Sequence, residues 1–227
     1  FRSAGQDTQR ALAGARWDLR RLTPLGQALT LTALVRGDVY HSDENDRTAT
    51  AIYRGEEGWQ TRAVALAAAD LQWPFAGSLL GGTQVFTPRV QLVVSPPIRN
   101  LAVPNEDARA IDLEDSNLFA LNRFPGYDRW EDSTRFTYGI DWQVDLPNFS
   151  LDATVGQSYR LSTQPTLLPD GTGLTDRTSD IVGRTELRYR DFVSIVHRYR
   201  LDKDGLAIRR NEIDATVGSR ATYLLVG

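Results

Sequence analysis

The stretch Thr134-Arg135-Phe136-Thr137-Tyr138-Gly139-Ile140-Asp141-Trp142-Gln143-Val144-Asp145 alternates without a slip. Phe136, Tyr138, Ile140, Trp142 and Val144 fall on one side; Arg135, Thr137, Asp141, Gln143 and Asp145 fall on the other. Successive side chains of an extended chain point to opposite faces, so this is a β-strand with one apolar and one polar face. Leu146-Pro147-Asn148 then turns the chain into residues 149–161, where Phe149, Leu151, Ala153, Val155, Tyr159 and Leu161 oppose Ser150, Asp152, Thr154, Ser158 and Arg160. Two such runs joined by a tight connection read as an antiparallel hairpin.

The same alternation runs on both sides of that hairpin. Residues 28–40 set Leu29, Leu31, Ala33, Val35 and Val39 against Thr30, Thr32, Arg36 and Asp38. Weaker versions at 15–22, 59–73, 82–95, 181–191, 193–201 and 206–218 bring the reading to about nine strands, with no amphipathic helix. In the last of these the apolar phase slips between Ile208 and Ile213, which a bulge at Arg209 and Arg210 absorbs. The fold class is all-β and antiparallel.

Strand length separates a sandwich from a membrane barrel. Sandwich strands are usually about 5–6 residues long, whereas several here reach about twelve, enough to cross a bilayer at a tilt of about 45°. Trp59 and Trp73 share a face with Ala63, Ala65, Ala67, Ala69 and Leu71 between them. Fourteen tilted steps rise about 33 Å, which sets both rings near the two membrane interfaces as girdle residues. The competing reading is two core tryptophans in one long bent strand. Short connections at 23–27, 147–148 and 202–205 contrast with long polar ones at 41–58, 96–133 and 164–180, as in barrels with short turns on one side and long loops on the other. The chain therefore reads as an arc of a larger transmembrane β-barrel, residues 1–227 forming part of a single barrel domain with a long luminal or surface loop at 96–133.

Composition excludes several classes. The chain has 227 residues, 41% hydrophobic and 24% charged, with a mean hydropathy of -0.36. The longest charge-free run, 71–88, is broken by Pro74, Gly77, Gly81, Gly82 and Pro88, so no transmembrane helix is present in the sequence. A net charge of -3 argues against a nucleic-acid partner held through phosphates. Zero cysteines exclude disulfides, thiolate nucleophiles and cysteine metal sites. With Phe1 first, no methionine and no charged-then-apolar leader, the chain reads as a piece of a longer protein whose targeting segment lies elsewhere.

No Walker, dinucleotide or HExxH pattern occurs, and His197 has no evident Ser and Asp partners, so no catalytic residue, metal site or cofactor is expected. The segment from His41 to Asp46 is acidic enough to bind a divalent cation at the surface, but it lacks calcium-loop spacing with a closing Glu, which favours a solvated loop. Arg16, Arg20, Arg36, Arg62, Arg135 and Arg160 lie on polar faces and would point into a wet lumen. There they either meet an anionic head group or pair with Asp18, Asp38, Asp141 and Asp152 and stiffen the wall.

The segment 96–133 is too long for a plain hairpin loop. Leu118, Phe119, Leu121, Phe124, Tyr127 and Trp130 are anchors that imply order, and Asp115 or Ser116 would cap a helical turn through 117–121, ended by Pro125-Gly126. The run Asn117-Leu118-Phe119-Ala120-Leu121-Asn122-Arg123-Phe124-Pro125-Gly126-Tyr127-Asp128-Arg129-Trp130-Glu131-Asp132, with Pro104-Asn105-Glu106-Asp107 before it, resembles the LPS-assembly outer-membrane protein family (LptD, OstA or Imp), mid-barrel. Asn117, Phe119, Arg123, Gly126, Asp128 and Arg129 carry that likeness.

The resemblance implies a large barrel in the cell outer membrane that receives lipopolysaccharide from the periplasm and inserts it into the outer leaflet. It further implies a plug lipoprotein in the lumen and a periplasmic LPS-bridge protein, met through a jellyroll domain not identifiable in this chain. The family's gate strands are likewise not identifiable here, so no gate residue is assigned. A general outer-membrane pore and a soluble β-sandwich binding module are the alternatives.

Overall fold

Alternation turns into sheet geometry along almost the whole chain. The computed structural model describes residues 5–107, 111–163, 167–218 and 222–227. The strands are β1 (Asp7–Leu22), β2 (Ala28–Asp43), β3 (Gly58–Gln72), β4 (Phe75–Leu79), β5 (Gly82–Val94) and β6 (Arg135–Leu146), followed by β7 (Phe149–Arg160), β8 (Ile181–Tyr189), β9 (Val193–Leu201), β10 (Ile208–Gly218) and β11 (Tyr223–Val226). All eleven form one antiparallel sheet in which sequence neighbours pair, apart from β4, which joins β3 along the same flank of β5. No second sheet packs on it among the described residues, so the sandwich reading fails. The sheet does not close on itself in this chain.

Two strands exceed the sequence reading, β4 and β11. The first has a local cause. Gln72 faces Arg89 and Phe75 faces Phe86, so the register runs straight through from β3 to β4. Pro74 and Pro88 each lack an N–H and interrupt the ladder there, although Trp73 N–H still donates to the Pro88 carbonyl at 3.0 Å. The expected bulge occurs, as a register shift between Ile208 and Arg210. One connection was misplaced. Successive connections of a meander alternate between its ends, so the 202–207 turn lies with the long loops and not with the short turns. An ion pair of Lys203 with Asp176 in the β7–β8 loop, 3.4 Å, agrees with that placement.

The two faces differ as the alternation requires. Trp17, Val35, Trp59, Phe86, Tyr138 and Ile140 stand exposed on the outer face. Leu29, Phe136, Trp142 and Leu151 point the same way and share no dry core; Phe136 and Trp142 are 36% and 37% exposed. Two buried apolar clusters lie on the inner face, beneath the loops. One cluster is Val64, Leu66, Val93 and Trp130; the other is Leu113, Leu118, Leu168, Leu174 and Val182. Among the described residues no helix is long and apolar enough to cross a membrane.

Candidate functional site

The loop between β5 and β6 folds back over the inner face and is fastened there by polar side chains of the wall. Asp38 on β2 lies between Arg36 on the same strand and Arg62 on β3, all three buried. Its Oδ2 accepts from Arg36 Nη2 at 3.0 Å and from Arg62 Nη2 at 2.6 Å, and Arg36 Nε lies 2.7 Å from Oδ1 as an ion pair. Both guanidiniums then use remaining donors on the loop, each giving a 2.8 Å bond to the Tyr127 carbonyl. Arg62 Nη1 also donates to the Asp128 carbonyl at 2.5 Å. Buried charges need partners, and here the loop main chain supplies several of them.

Asp128 is the second fastening. Its Oδ1 accepts from Arg10 Nη1 on β1 at 2.6 Å and from the Tyr40 hydroxyl on β2 at 3.0 Å. Its Oδ2 takes the N–H groups of Glu106 and Asp107 at 2.8 and 3.2 Å. Asp107 replies, its Oδ2 accepting the N–H groups of Tyr127 and Asp128, both at 2.6 Å. Gly126 makes this reciprocal clamp possible. Its φ is +70°, and a Cβ there would stand 2.1 Å from the Asp107 carboxyl carbon.

Further along, Glu131 pairs with Arg123 at 3.1 Å and with Arg135 of β6 at 3.3 Å. Arg135 Nη2 also donates to the carbonyls of Ala120 and Leu121, while Arg123 Nη2 reaches Ser158 Oγ of β7 at 3.0 Å. Phe119 lies 4.0 Å beneath the Arg89 guanidinium, which itself pairs with Asp70. Asn117 closes a turn, accepting from Glu114 N–H and donating to the Asp112 carbonyl. That side-chain bridging replaces the helical turn expected at 117–121; the chain there forms turns only.

Arg129 is held differently. It is 4% exposed and donates to the carbonyls of Asn100 at 2.6 Å, Val103 at 2.9 Å and Ile52 at 2.8 Å. It thus ties the β2–β3 loop to the β5–β6 loop. Burial, followed by the charge of Arg62, pushes its pKa below the ordinary guanidinium value. Burial likewise raises the Asp132 carboxyl above the usual carboxylate range, although the Ile98 N–H bond acts against it.

The six wall arginines therefore divide. Arg36, Arg62 and Arg135 face inward but are sealed under the loop. Arg160 lies at the loop margin and donates to the Thr175 carbonyl at 3.0 Å. Arg16 and Arg20 remain in the open. Arg16 is paired with Asp18 at 2.8 Å. Together with Arg89, Gln72, Thr30 and Thr32 they line a polar groove of 450 Å³ on the inner wall toward the short turns. Trp59 and Trp73 lie on the outer face at opposite ends of β3, 70% and 37% exposed. His41 packs at a tilt against Trp59, centroids 4.7 Å apart, and its Nδ1 lies 3.5 Å from the Asp43 carboxylate.

Sequence reasoning missed Tyr40, Asp107 and Glu131 as anchors, and the glycines that receive Leu118 and Phe119. An Asp38 between two arginines on neighbouring strands was a visible signal; the pairing of Asp107 with Asp128 was not, because it depends on how the loop folds.

A family model described as LPS transport system D matches residues 1–227. The chain is similar to the LPS-assembly protein LptD of Polaromonas sp., 32% identical over 103 residues, covering 44% of this chain and 12% of that protein. It is 28% identical over 110 residues to the LPS-assembly protein LptD of Psychrobacter cryohalolentis, covering 44% of this chain and 11% of that one. Each alignment spans a small part of the relative's length.

Proposed function

Because the chain belongs to the LPS transport system D family, we propose that residues 1–227 are one arc of the barrel wall of an outer-membrane protein. In this reading the whole protein receives lipopolysaccharide from the periplasm and inserts it into the outer leaflet of the cell outer membrane. Its partners are lipopolysaccharide, a plug lipoprotein in the lumen, and a periplasmic bridge protein met through a domain outside this chain. Its action is transport and not catalysis.

The observation that carries this reading is the division of the sheet into an apolar aromatic outer face and a polar inner face whose upper part is capped by the 96–133 loop. Outer residues such as Trp17, Val35 and Phe136 meet acyl chains; Trp59 and Trp73 form girdle contacts at the two interfaces. On the inner side the open groove offers two exposed guanidiniums, Arg16 and Arg20, with neutral hydroxyl and amide groups from Thr30, Thr32 and Gln72. That combination recognises phosphate and sugar through charge-assisted hydrogen bonds. The buried arginines Arg36, Arg62 and Arg135 instead set the loop, and the lipid path runs below it.

The test is lipopolysaccharide delivery by the full-length protein carrying Arg16→Gln and Arg20→Gln together, with a photo-crosslinking residue at Thr30 in a parallel variant. Slower arrival at the cell surface and capture of lipopolysaccharide at Thr30 are expected. Unchanged delivery with no capture removes the groove from the path.

A further inference from the structure

The connection between β8 and β9, residues 190–192, lies at the short-turn end of the wall, beside the β6–β7 turn. Its first residue, Arg190, is exposed and has φ +50°, a left-handed conformation that residues with a Cβ rarely adopt. The neighbouring turn holds it by two bonds. Arg190 N–H donates to the Asn148 carbonyl and Arg190 Nε donates to Asn148 Oδ1, both at 2.9 Å. The guanidinium also lies 5.6 Å over the Tyr189 ring. Three contacts therefore set where this cation stands.

Those contacts leave one edge of it open. A guanidinium has five N–H donors, and only the Nε hydrogen is used; the four Nη hydrogens meet no acceptor among the described residues. No carboxylate among those residues pairs with Arg190. Asp191 is next in the chain and opposes an anion, but it is exposed and makes no ion pair with Arg190. Arg188, two residues back on the inner face, is by contrast paired with Glu186.

The surroundings point to the ligand. Tyr189 stands opposite Phe149 in the ladder, and both are exposed on the outer face, with Phe192 exposed in the turn. Gly218 N–H on β10 donates to the Phe192 carbonyl at 2.8 Å, which steadies that side of the turn. Exposed aromatics at one end of an apolar barrel wall mark the level of the lipid head groups. The anion at that level is a lipid phosphate.

We propose that Arg190 is the centre of a binding site for an anionic phospholipid of the periplasmic leaflet. The open Nη edge donates a forked pair of hydrogen bonds to the phosphate, and the acyl chains pack along Tyr189, Phe149 and Phe192. This rests on the reading of the outer face as lipid-facing, and it is independent of what passes along the inner groove.

The test uses the full-length protein in vesicles of phosphatidylglycerol and phosphatidylcholine in equal amounts. A photo-crosslinking phenylalanine analogue replaces Phe192, or Trp17 as the mid-wall reference, and captured lipid is identified by mass spectrometry. Phosphatidylglycerol should be favoured about fivefold at 192 relative to 17, the effect of one cation at an anionic interface. Arg190→Gly keeps a backbone that glycine adopts freely, so the turn persists and the preference should fall to the reference ratio; Arg190→Glu should drive it lower still. Capture of neither lipid at either position sinks the lipid-facing reading and the proposal together. Capture at 17 but not at 192, equal capture of the two lipids at 192, or a preference that survives Arg190→Gly overturns the proposal alone.

Discussion

Gly139 on β6 and Gly156 on β7 stand directly opposite each other, and Leu118 and Phe119 of the long loop fill the inner-face space their missing side chains leave. A Cβ on Gly156 would lie 2.5 Å from Leu118 Cδ2 and 2.6 Å from the Tyr138 carbonyl oxygen; one on Gly139 would lie 3.2 Å from Phe119 Cζ. The glycine pair is thus a socket for the loop.

Gly156→Ala should therefore lift Leu118 and cost about 1–3 kcal/mol, the usual range for an overfilled core. Adding Leu118→Ala should recover only part of that loss, because the Tyr138 carbonyl is main chain and cannot withdraw. Thermal unfolding of the two variants, with proteolysis of the loop as a local readout, checks this.

Asp128→Ala should free the loop from β1 and β2. It removes the acceptor of Arg10, Tyr40 and two amides, at a cost of about 3 kcal/mol for a largely buried charged hydrogen-bond set. Faster protease cleavage within 96–133 is expected while the strands stay protected. Gly126→Ala should act similarly, since its Cβ would displace the Asp107 carboxylate.

Of the five tryptophans, Trp17, Trp59, Trp73 and Trp142 face outward and only Trp130 is buried on the inner side. In bilayers with brominated acyl chains, Trp17, level with mid-strand Ala33 and Ala67, should be quenched more strongly than Trp59 and Trp73 at the interfaces, and Trp130 least. Single-tryptophan variants read each ring separately.

The 202–207 turn should be insensitive to mild acid. A hydrogen bond from Arg209, then those from the Gly205 and Asp204 amides, holds the Asp202 carboxyl down at about 2. A folded-state pKa below the ordinary value of about 3.9 stabilises the turn above that value, and the stabilisation is lost as pH falls through about 2. Exchange of the Asp204 and Gly205 amides should rise only near that pH. In Asp202→Asn the acid step should disappear.

The chain's own residues fixed the sheet with little help from context. Strand periodicity is local: each of 134–145 and 149–161 declares its two faces from neighbours two residues away. The bulge at Arg209 was legible for the same reason, as a slip of phase. The strand break at Trp73-Pro74 was less so, because a proline's effect depends on which partner needs the missing N–H.

What lies against the polar face was not local, and tertiary structure alone decided it. Arg10 and Asp128 are separated by 118 residues, Arg36 and Tyr127 by 91, and Arg200 and Asp112 by 88. A mid-strand arginine reads the same in sequence whether water or a folded loop will cover it. Only the path of the loop buries Arg36, Arg62 and Arg135 and leaves Arg16 and Arg20 open, because burial depends on what the chain brings back from a distance.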